Sequence, residues 1–333
     1  MRKVIVDILG GDNAPNAMLE GALAALKKNS DLKLVLVGDK AVIEPRLAGF
    51  ENRTEILHTT ENISCDESPV AAIKQKPEAS IVIGQMALAS RDDCGSFVSS
   101  GSTGAVLSCA FMKVGRVEGV SRPALCPMLP TRDGKGVLLI DVGANMDCKP
   151  VNLVHFALMA DVYMKVLGRE NPRVALVNVG VEDTKGNELT HQTFDLLKKT
   201  SLNFVGNMEA RDAFSGKYDI LVCDGFVGNI MLKTLEGTGS LFSFKLKEAM
   251  RGVGGLLGKL LLARRLLKMK RNLSEDAVGG SIFIGVKKPV IKAHGSSNAN
   301  AFCNAILLAA NAGKLDLGEK IQVAVGEFNA LQE

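Results

Sequence analysis

The sequence predicts an α/β fold, a mostly parallel sheet with helices on both faces in a three-layer sandwich. Three observations lead there. Short apolar runs alternate with helical patterns in β-α-β-α-β order from the first residues onward. The predicted strand ends are rich in Gly, Asn, Asp, Ser and His, as loops converging on one rim would be. The composition is 47% hydrophobic and 23% charged, with 34 glycines and only 5% aromatic residues, which suits a folded chain with many tight turns.

Lys3 to Ile8 reads as a first buried strand, closing in Gly10-Gly11-Asp12-Asn13-Ala14-Pro15. Met18, Leu19, Ala22 and Leu26 then fall at helical spacing between Pro15 and Lys28. Strands at 32–37 and 53–57 flank a short helix at 41–47, and a polar connection at 61–69 leads to helices at 70–76 and 78–90. A strand is expected at 124–129, turn chemistry at 131–136 and a further strand at 137–140. The second half repeats the alternation: helix 151–167, strand 173–179, helix 188–199, then strands 204–209 and 218–223. A last strand at 290–293 precedes helices at 298–311 and 319–331. No repeat or linker divides the 333 residues, so a single domain over 1–333, with two lobes around one cleft as a variant, is expected.

Composition also excludes function classes. Without Trp and with a net charge of +4, the chain offers no stacking surface for nucleic acid. Seven scattered cysteines without a C-x-x-C pair read as buried thiols of a reducing cytosol. No signal peptide or apolar run of spanning length is evident, so a soluble cytoplasmic protein is expected. There is no G-x-G-x-x-G, P-loop, H-E-x-x-H or G-x-S-x-G, so nucleotide chemistry, zinc hydrolysis and a serine hydrolase have no direct support.

The chemistry centres on Phe97-Val98-Ser99-Ser100-Gly101-Ser102-Thr103-Gly104, which runs into a helical pattern from Ala105 to Met112. Strand, glycine turn and helix start in that order aim backbone N–H groups at one spot and suit an anion, although a capped βα turn reads the same way. His294 stands at a strand end beside Gly295-Ser296-Ser297, unlike His155 on an apolar helix or His58 and His191 near element ends. Asp7, Asp12, Asp141 and Asp224 offer either a metal site of unfamiliar spacing or four turn caps. Lys185 and Glu182 share one loop as an ion pair or a cationic site, and Asn229 is either a helix cap or a donor to developing negative charge.

One stretch breaks the rhythm. Residues 241–273 form a long helical pattern interrupted by glycines, with nine basic residues against one acidic, so its +8 exceeds the whole chain's +4. It reads as a basic helical hairpin with Val253, Leu256 and Leu257 at its tip, suited either to an anionic membrane surface or to packing within an oligomer.

Taken together, the ordered motifs Asp7-x-x-Gly-Gly-Asp12-x-x-Pro15, Ser99-x-Gly101-Ser102-Thr103-Gly104, Arg122-Pro123, Asp141-x-Gly143-Ala144-Asn145, Asn178-x-Gly180-x-Glu182, Gly206-Asn207-x-Glu209, Asp224-Gly225-Phe226-x-Gly228-Asn229 and His294-Gly295-Ser296 resemble those of the bacterial phosphate acyltransferase (PlsX) family. The resemblance spans residue 3 to about residue 330. It implies a Rossmann-like fold similar to isocitrate/isopropylmalate dehydrogenases and phosphotransacetylases. It also implies acyl transfer from acyl-[acyl carrier protein] to inorganic phosphate, a homodimer, peripheral attachment to the cell membrane and delivery to a membrane glycerol-3-phosphate acyltransferase. No metal or cofactor is expected. On that reading, Ser99, Gly101, Ser102, Thr103 and Gly104 cradle phosphate with Ser296 and Ser297, and Asp12, Asn145 and Asn207 line the substrate site. Lys185 offsets charge, Asn229 donates to the thioester oxygen, His294 orients phosphate or protonates the leaving thiolate, and Asp224 positions Lys185. Arg264, Arg265 and Lys268 would meet the acidic carrier protein. The competing readings are a phosphotransacetylase-like enzyme using acyl-coenzyme A, a non-catalytic membrane scaffold, and an NAD-dependent decarboxylating dehydrogenase.

Overall fold

The structure is a computed structural model; it describes residues 2–251, 262, 265 and 280–331. Among the described residues twelve strands fall in two sheets. The first contains β1 (Lys3–Asp7), β2 (Leu34–Gly38), β3 (Thr54–His58), β4 (Cys94–Ser99), β5 (Ala124–Cys126), β11 (Ser281–Ile284) and β12 (Val290–Lys292), in the order β3-β2-β1-β4-β12-β11-β5. The second contains β6 (Met128–Leu129), β7 (Val137–Ile140), β8 (Val174–Asn178), β9 (Phe204–Glu209) and β10 (Ile220–Val222), in the order β6-β7-β10-β8-β9. Pairing is parallel except where β5, β6 and β11 intervene. The run expected as one strand at 124–129 splits because Pro127 has no N–H to give a ladder. Its first half pairs with β11 and its second with β7, so this short segment joins the two sheets. Strand β11 has no counterpart in the sequence reading.

Strand alternation sends residues to two cores. Val4, Val6, Leu138, Ile140, Val174 and Leu176 face one, and Ile5, Leu139, Ala175 and Val177 face the other. The first core is covered by α1 (Asn16–Lys28), α6 (Pro150–Val166), α7 (Glu188–Leu197), α9 (Ala299–Ala312) and α10 (Leu317–Ala330). The second is covered by α3 (Pro69–Gln75), α4 (Ser80–Ser90), α5 (Thr103–Cys109) and the first turns of α8 (Gly225–Ala249); a short α2 spans Lys40–Ile43. Each core draws on both sheets, and the three layers agree with the α/β sandwich expected from sequence. Within the first, buried His155 on α6 is 2.9 Å from Asn329 Oδ1 through Nε2 and accepts from Ser121 N at 3.2 Å through Nδ1, tying α10 to α6. Burial lowers its pKa.

Two further expectations change. Helix α8 begins at Gly225, at the end of β10, and not at 241. From Gly237 to Ala249 it is almost wholly exposed, so a protruding helix is present as far as Ala249. The expected tip residues Val253, Leu256 and Leu257, and the docking residues Arg264 and Lys268, lie outside the described residues; Arg265 is exposed. The cysteines are mostly buried, as expected, but Cys65 is exposed and Cys148 half-buried. Among the described residues no helix is long and apolar enough to cross a membrane.

Candidate active site

The carboxyl ends of the parallel strands form two rims, one per sheet, and each is folded by a buried aspartate. In the first sheet Asp7 Oδ1 accepts from Leu9 N (3.0 Å) and Gly10 N (3.2 Å), turning the chain just past β1. Its Oδ2 accepts from Ser99 Oγ at 2.6 Å, and Ser99 Oγ in turn accepts from Gly101 N at 2.9 Å. Burial raises the Asp7 pKa, and these hydrogen bonds work against that rise. The glycines here answer a steric need. A Cβ on Gly10 would lie 2.4 Å from Asp7 Oδ2 and 2.7 Å from Gly101 N, so the loops after β1 and β4 touch backbone to backbone.

The loop after β12 is laced into the same rim. Asp12 N donates to Gly295 O at 2.9 Å, and Asn13 Nδ2 donates to Ser296 O and Ser297 O at 3.1 and 3.2 Å. His294 is exposed, with Nδ1 2.8 Å from Ser296 Oγ and accepting from Ser296 N at 3.3 Å. In the neutral ring the proton is therefore on Nε2, the nitrogen free to donate outward. Thr103 and Gly104 open α5 at the surface with Ser102 at the N-cap. The first N–H groups of such a helix have no partner within it. Asp12, Thr103, Gly104, His294 and Ser296 are thus exposed on one rim, with Ser102 and Ser297 buried against it.

Beneath this rim lies a residue the sequence reading passed over. Lys292 is the last residue of β12, paired in register with Ser99, and is 8% exposed. Its Nζ donates to Ala293 O and, at 3.5 Å, to Ser100 O. Burial pushes its pKa down to about 8, with Lys233 adding to the fall and Cys65, Asp12 and Asp7 opposing it. Holding that ammonium costs the fold about 3 kcal/mol at neutral pH. A lysine in a short strand reads as solvent-facing; only its place next to the His294 loop was a signal.

In the second sheet Asp141, just past β7, plays the part of Asp7. It accepts from Leu125 N (2.9 Å), Ala144 N (3.3 Å) and Asn145 N (2.7 Å), and burial raises its pKa. Asn145 donates through Nδ2 to Pro123 O and back to Asp141 Oδ2. Helix α8 sits directly on this turn: a Cβ on Gly228 would be 1.9 Å from Asp141 O. Asp224 caps α8 by accepting from Val227 N at 2.8 Å. Asn229, half-buried in the first turns of that helix, stands beside Gly143, with Oδ1 3.7 Å from the place a Cβ there would occupy. The loop after β8 is held from below, where Asn178 Nδ2 donates to Lys185 O and Asn207 Nδ2 to Glu182 O. Lys185 itself is exposed, its stem packed over Gly180 beside Glu182.

Several sequence assignments are therefore corrected. Ser99, Asn145 and Asn207 spend their side chains on building loops, although Asn207 Oδ1 is buried without a partner among the described residues. Asp224 makes no ion pair with Lys185 among the described residues, because its carboxylate faces the α8 amides. Asn229 lies within a helix and not on a loop. Lys185 and Glu182 form no ion pair among the described residues, and no metal-ligand cluster occurs among them either.

Residues 2–320 match the family model described as "Fatty acid synthesis protein". The chain belongs to this family. Its relatives include proteins named phosphate acyltransferase from Bacillus cereus (strain B4264), 47% identical over 91% of this chain and 92% of the relative, and from Bacillus thuringiensis subsp. konkukian (strain 97-27), 46% identical over the same shares. The chain is an enzyme of the acyltransferase class. Solved structures of similar fold include a phosphotransacetylase from Streptococcus pyogenes, with a TM-score of 0.61 and 18% identity over 93% of this chain and 94% of that one. Another is a branched-chain phosphotransacylase from Enterococcus faecalis V583, with a TM-score of 0.61 and 15% identity over 93% and 99%. A 4-hydroxythreonine-4-phosphate dehydrogenase from Klebsiella pneumoniae has a TM-score of 0.55 and 12% identity over 94% and 100%. At these identities the likeness is one of fold.

Proposed function

We propose that this protein transfers a fatty acyl group from acyl-[acyl carrier protein] to inorganic phosphate, producing acyl phosphate for phosphatidic acid synthesis. The observation that carries this reading is the first rim: a glycine turn with exposed Thr103 and Gly104 opening α5, His294 and Ser296 beside it, in a family whose relatives are named phosphate acyltransferase. Phosphate is partly dianionic near neutral pH, so an oxygen of it attacks the thioester carbonyl without a strong protein base. The carbon–sulfur bond then breaks, the thiolate leaves, and no acyl-enzyme forms. Catalysis consists of holding the two substrates together and stabilising the oxyanion.

In this scheme the backbone N–H groups of Ser102 to Gly104 with the hydroxyls of Ser102, Thr103, Ser296 and Ser297 hold phosphate, Gly101 allows the close approach while its own N–H is held by Ser99, and Asp12 borders the site. Lys185 offsets the accumulating charge, Asn229 Nδ2 donates to the oxyanion, and His294 Nε2–H protonates the thiolate. Asp224 acts through α8, whose cap fixes Asn229. The exposed Leu241, Phe242 and Phe244 on α8 support a homodimer built on that helix. The basic hairpin pattern at 241–273, as a unit inserted in a single 1–333 domain, supports peripheral binding to anionic membrane, hand-over to a membrane glycerol-3-phosphate acyltransferase, and encounter with the acidic carrier.

The test is to incubate the protein with phosphate and either acyl-[acyl carrier protein] or acyl-coenzyme A, trapping acyl phosphate as the hydroxamate. The reading predicts faster product formation from the carrier-linked donor. Preference for acyl-coenzyme A would favour a phosphotransacetylase-like enzyme, and no hydroxamate from either would overturn the reading.

A further inference from the structure

Lys292 is a buried ammonium that no carboxylate pairs. Among the described residues no ion pair includes it, and two backbone carbonyls, Ser100 O and Ala293 O, account for two of its three N–H donors. A second unmet donor lies alongside: Ser100 is 1% exposed, and its Oγ has no hydrogen-bond partner among the described residues. The two unmet groups thus occur on residues in direct contact. Charged and titratable groups from several elements act on Lys292. They are Asp7 and Asp12 after β1, Cys65 in the connection after β3, and Lys233 on α8, with His294 two residues along its own chain. Asp12, Cys65 and Lys233, whose charges act on Lys292, and its chain neighbour His294 are all exposed, so the groups around Lys292 are polar and solvent-facing although Lys292 itself is buried.

We infer that Lys292 is the cation that receives the dianionic acceptor at the first rim, binding phosphate through its third N–H beside Ser100. This role rests on the phosphate-transfer reading above. An unpaired buried ammonium is destabilising, and an anion bound against it recovers the loss. The opposing explanation is that Lys292 merely ties the ends of β4 and β12 by holding two carbonyls. The two differ in what the charge does. Lys292 carries its charge below about 8 and loses it above. Phosphate affinity that needs the ammonium is therefore full near neutrality and falls as pH rises through that value. Phosphate is only partly dianionic near neutrality and becomes more so as pH rises, a change that favours binding to a cation and so does not mimic the fall.

The experiment is equilibrium dialysis of radiolabelled inorganic phosphate against the full chain without acyl donor, at about pH 7 and about pH 9.5, points on either side of the lysine titration. Wild type is expected to bind roughly 10-fold more weakly at the higher pH. Lys292→Met should bind roughly 10-fold or more weakly at the lower pH and show no further fall, with a melting temperature equal to or above wild type because a buried charge is gone. Lys292→Arg, charged at both pH values, should bind phosphate at both. Phosphate affinity of Lys292→Met equal to wild type would overturn the inference. So would a lowered melting temperature in both variants with loss of binding that Arg does not rescue, the signature of a strand tie. Wild type that binds no phosphate also overturns it, whereas binding with no acyl hydroxamate overturns the transfer reading alone.

Discussion

The two rims use one device and arrive at opposite characters. Each has a buried aspartate just past a strand, Asp7 or Asp141, whose oxygens collect the amides downstream and fold the loop back. In the first rim the three loops then lock onto one another, through Ser99 to Asp7, Asp12 N to Gly295 O and Asn13 to the Ser296 and Ser297 carbonyls. In the second rim each loop is supported from beneath, by Asn145, Asn178 and Asn207, and Lys185 is left in solvent. In the proposed function the first, a preorganised backbone surface, holds the anion, and the second presents side chains to the reacting group. Loss of a side chain that locks the first-rim loops together, such as Ser99, should register in folding and phosphate binding together, and loss of the Lys185 or Asn229 side chain at the second rim in turnover alone.

The largest expected effect probes the seat of α8. Gly228→Ala places a methyl group where Asp141 O already stands, and overpacking of this kind costs about 3 kcal/mol or more. Urea unfolding should show that loss with turnover falling as well; stability within about 1 kcal/mol of wild type would mean that the helix does not sit on that turn. Next, Lys185→Ala and Asn229→Ala should each lower turnover by roughly 10²–10³, the usual cost of a lost charge-stabilising donor. Unfolding midpoints should stay near wild type, since neither side chain has an ion pair or hydrogen bond among the described residues. Loss of stability in step with activity would make the second rim structural.

Ser99→Ala sharpens the contrast from the other side. It removes the donor to buried Asp7 and the acceptor of Gly101 N, so about 2 kcal/mol of stability and a higher phosphate requirement are expected together. A variant with the same stability loss but unchanged phosphate dependence would separate the turn from the anion site. The smallest effect lies away from both rims. Burial lowers the pKa of His155 in the fold, so the unfolded chain takes up the proton first as pH falls. Its contribution to stability is present above about 6.5 and is lost as pH drops below that towards the folded value. His155→Gln should flatten that limb in denaturation curves taken across the range; an unchanged slope would assign it to other groups.

How much of this was legible in the sequence depends on what each residue's neighbours are. The three layers, β4 and its turn, and the exposure of Thr103, His294 and Lys185 follow from local pattern, because alternation and turn chemistry are local properties. Ser99, Asn145 and Asn207 were read as ligand-facing because polar residues at strand ends look alike; that their partners are Asp7, Pro123 O and Glu182 O is set by contacts distant in sequence. Asp224 was misread for a related reason. The glycines after it, Gly225 and Gly228, look like loop residues but admit helix α8 against the Asp141 turn. The burial of Lys292 is not legible in a three-residue strand, because it is set by chain segments distant in sequence, such as the loop after β4 whose Ser100 carbonyl accepts from its ammonium.

The central claim is the division of labour between the rims, and phosphate-saturation kinetics with one acyl donor test it most directly. Thr103→Ala and Lys185→Ala would be measured side by side. The account predicts that Thr103→Ala raises the phosphate KM with kcat changed less than about threefold, and that Lys185→Ala lowers kcat with the phosphate KM nearly unchanged. The reverse pattern, or the same proportional loss in both parameters for both variants, would contradict it.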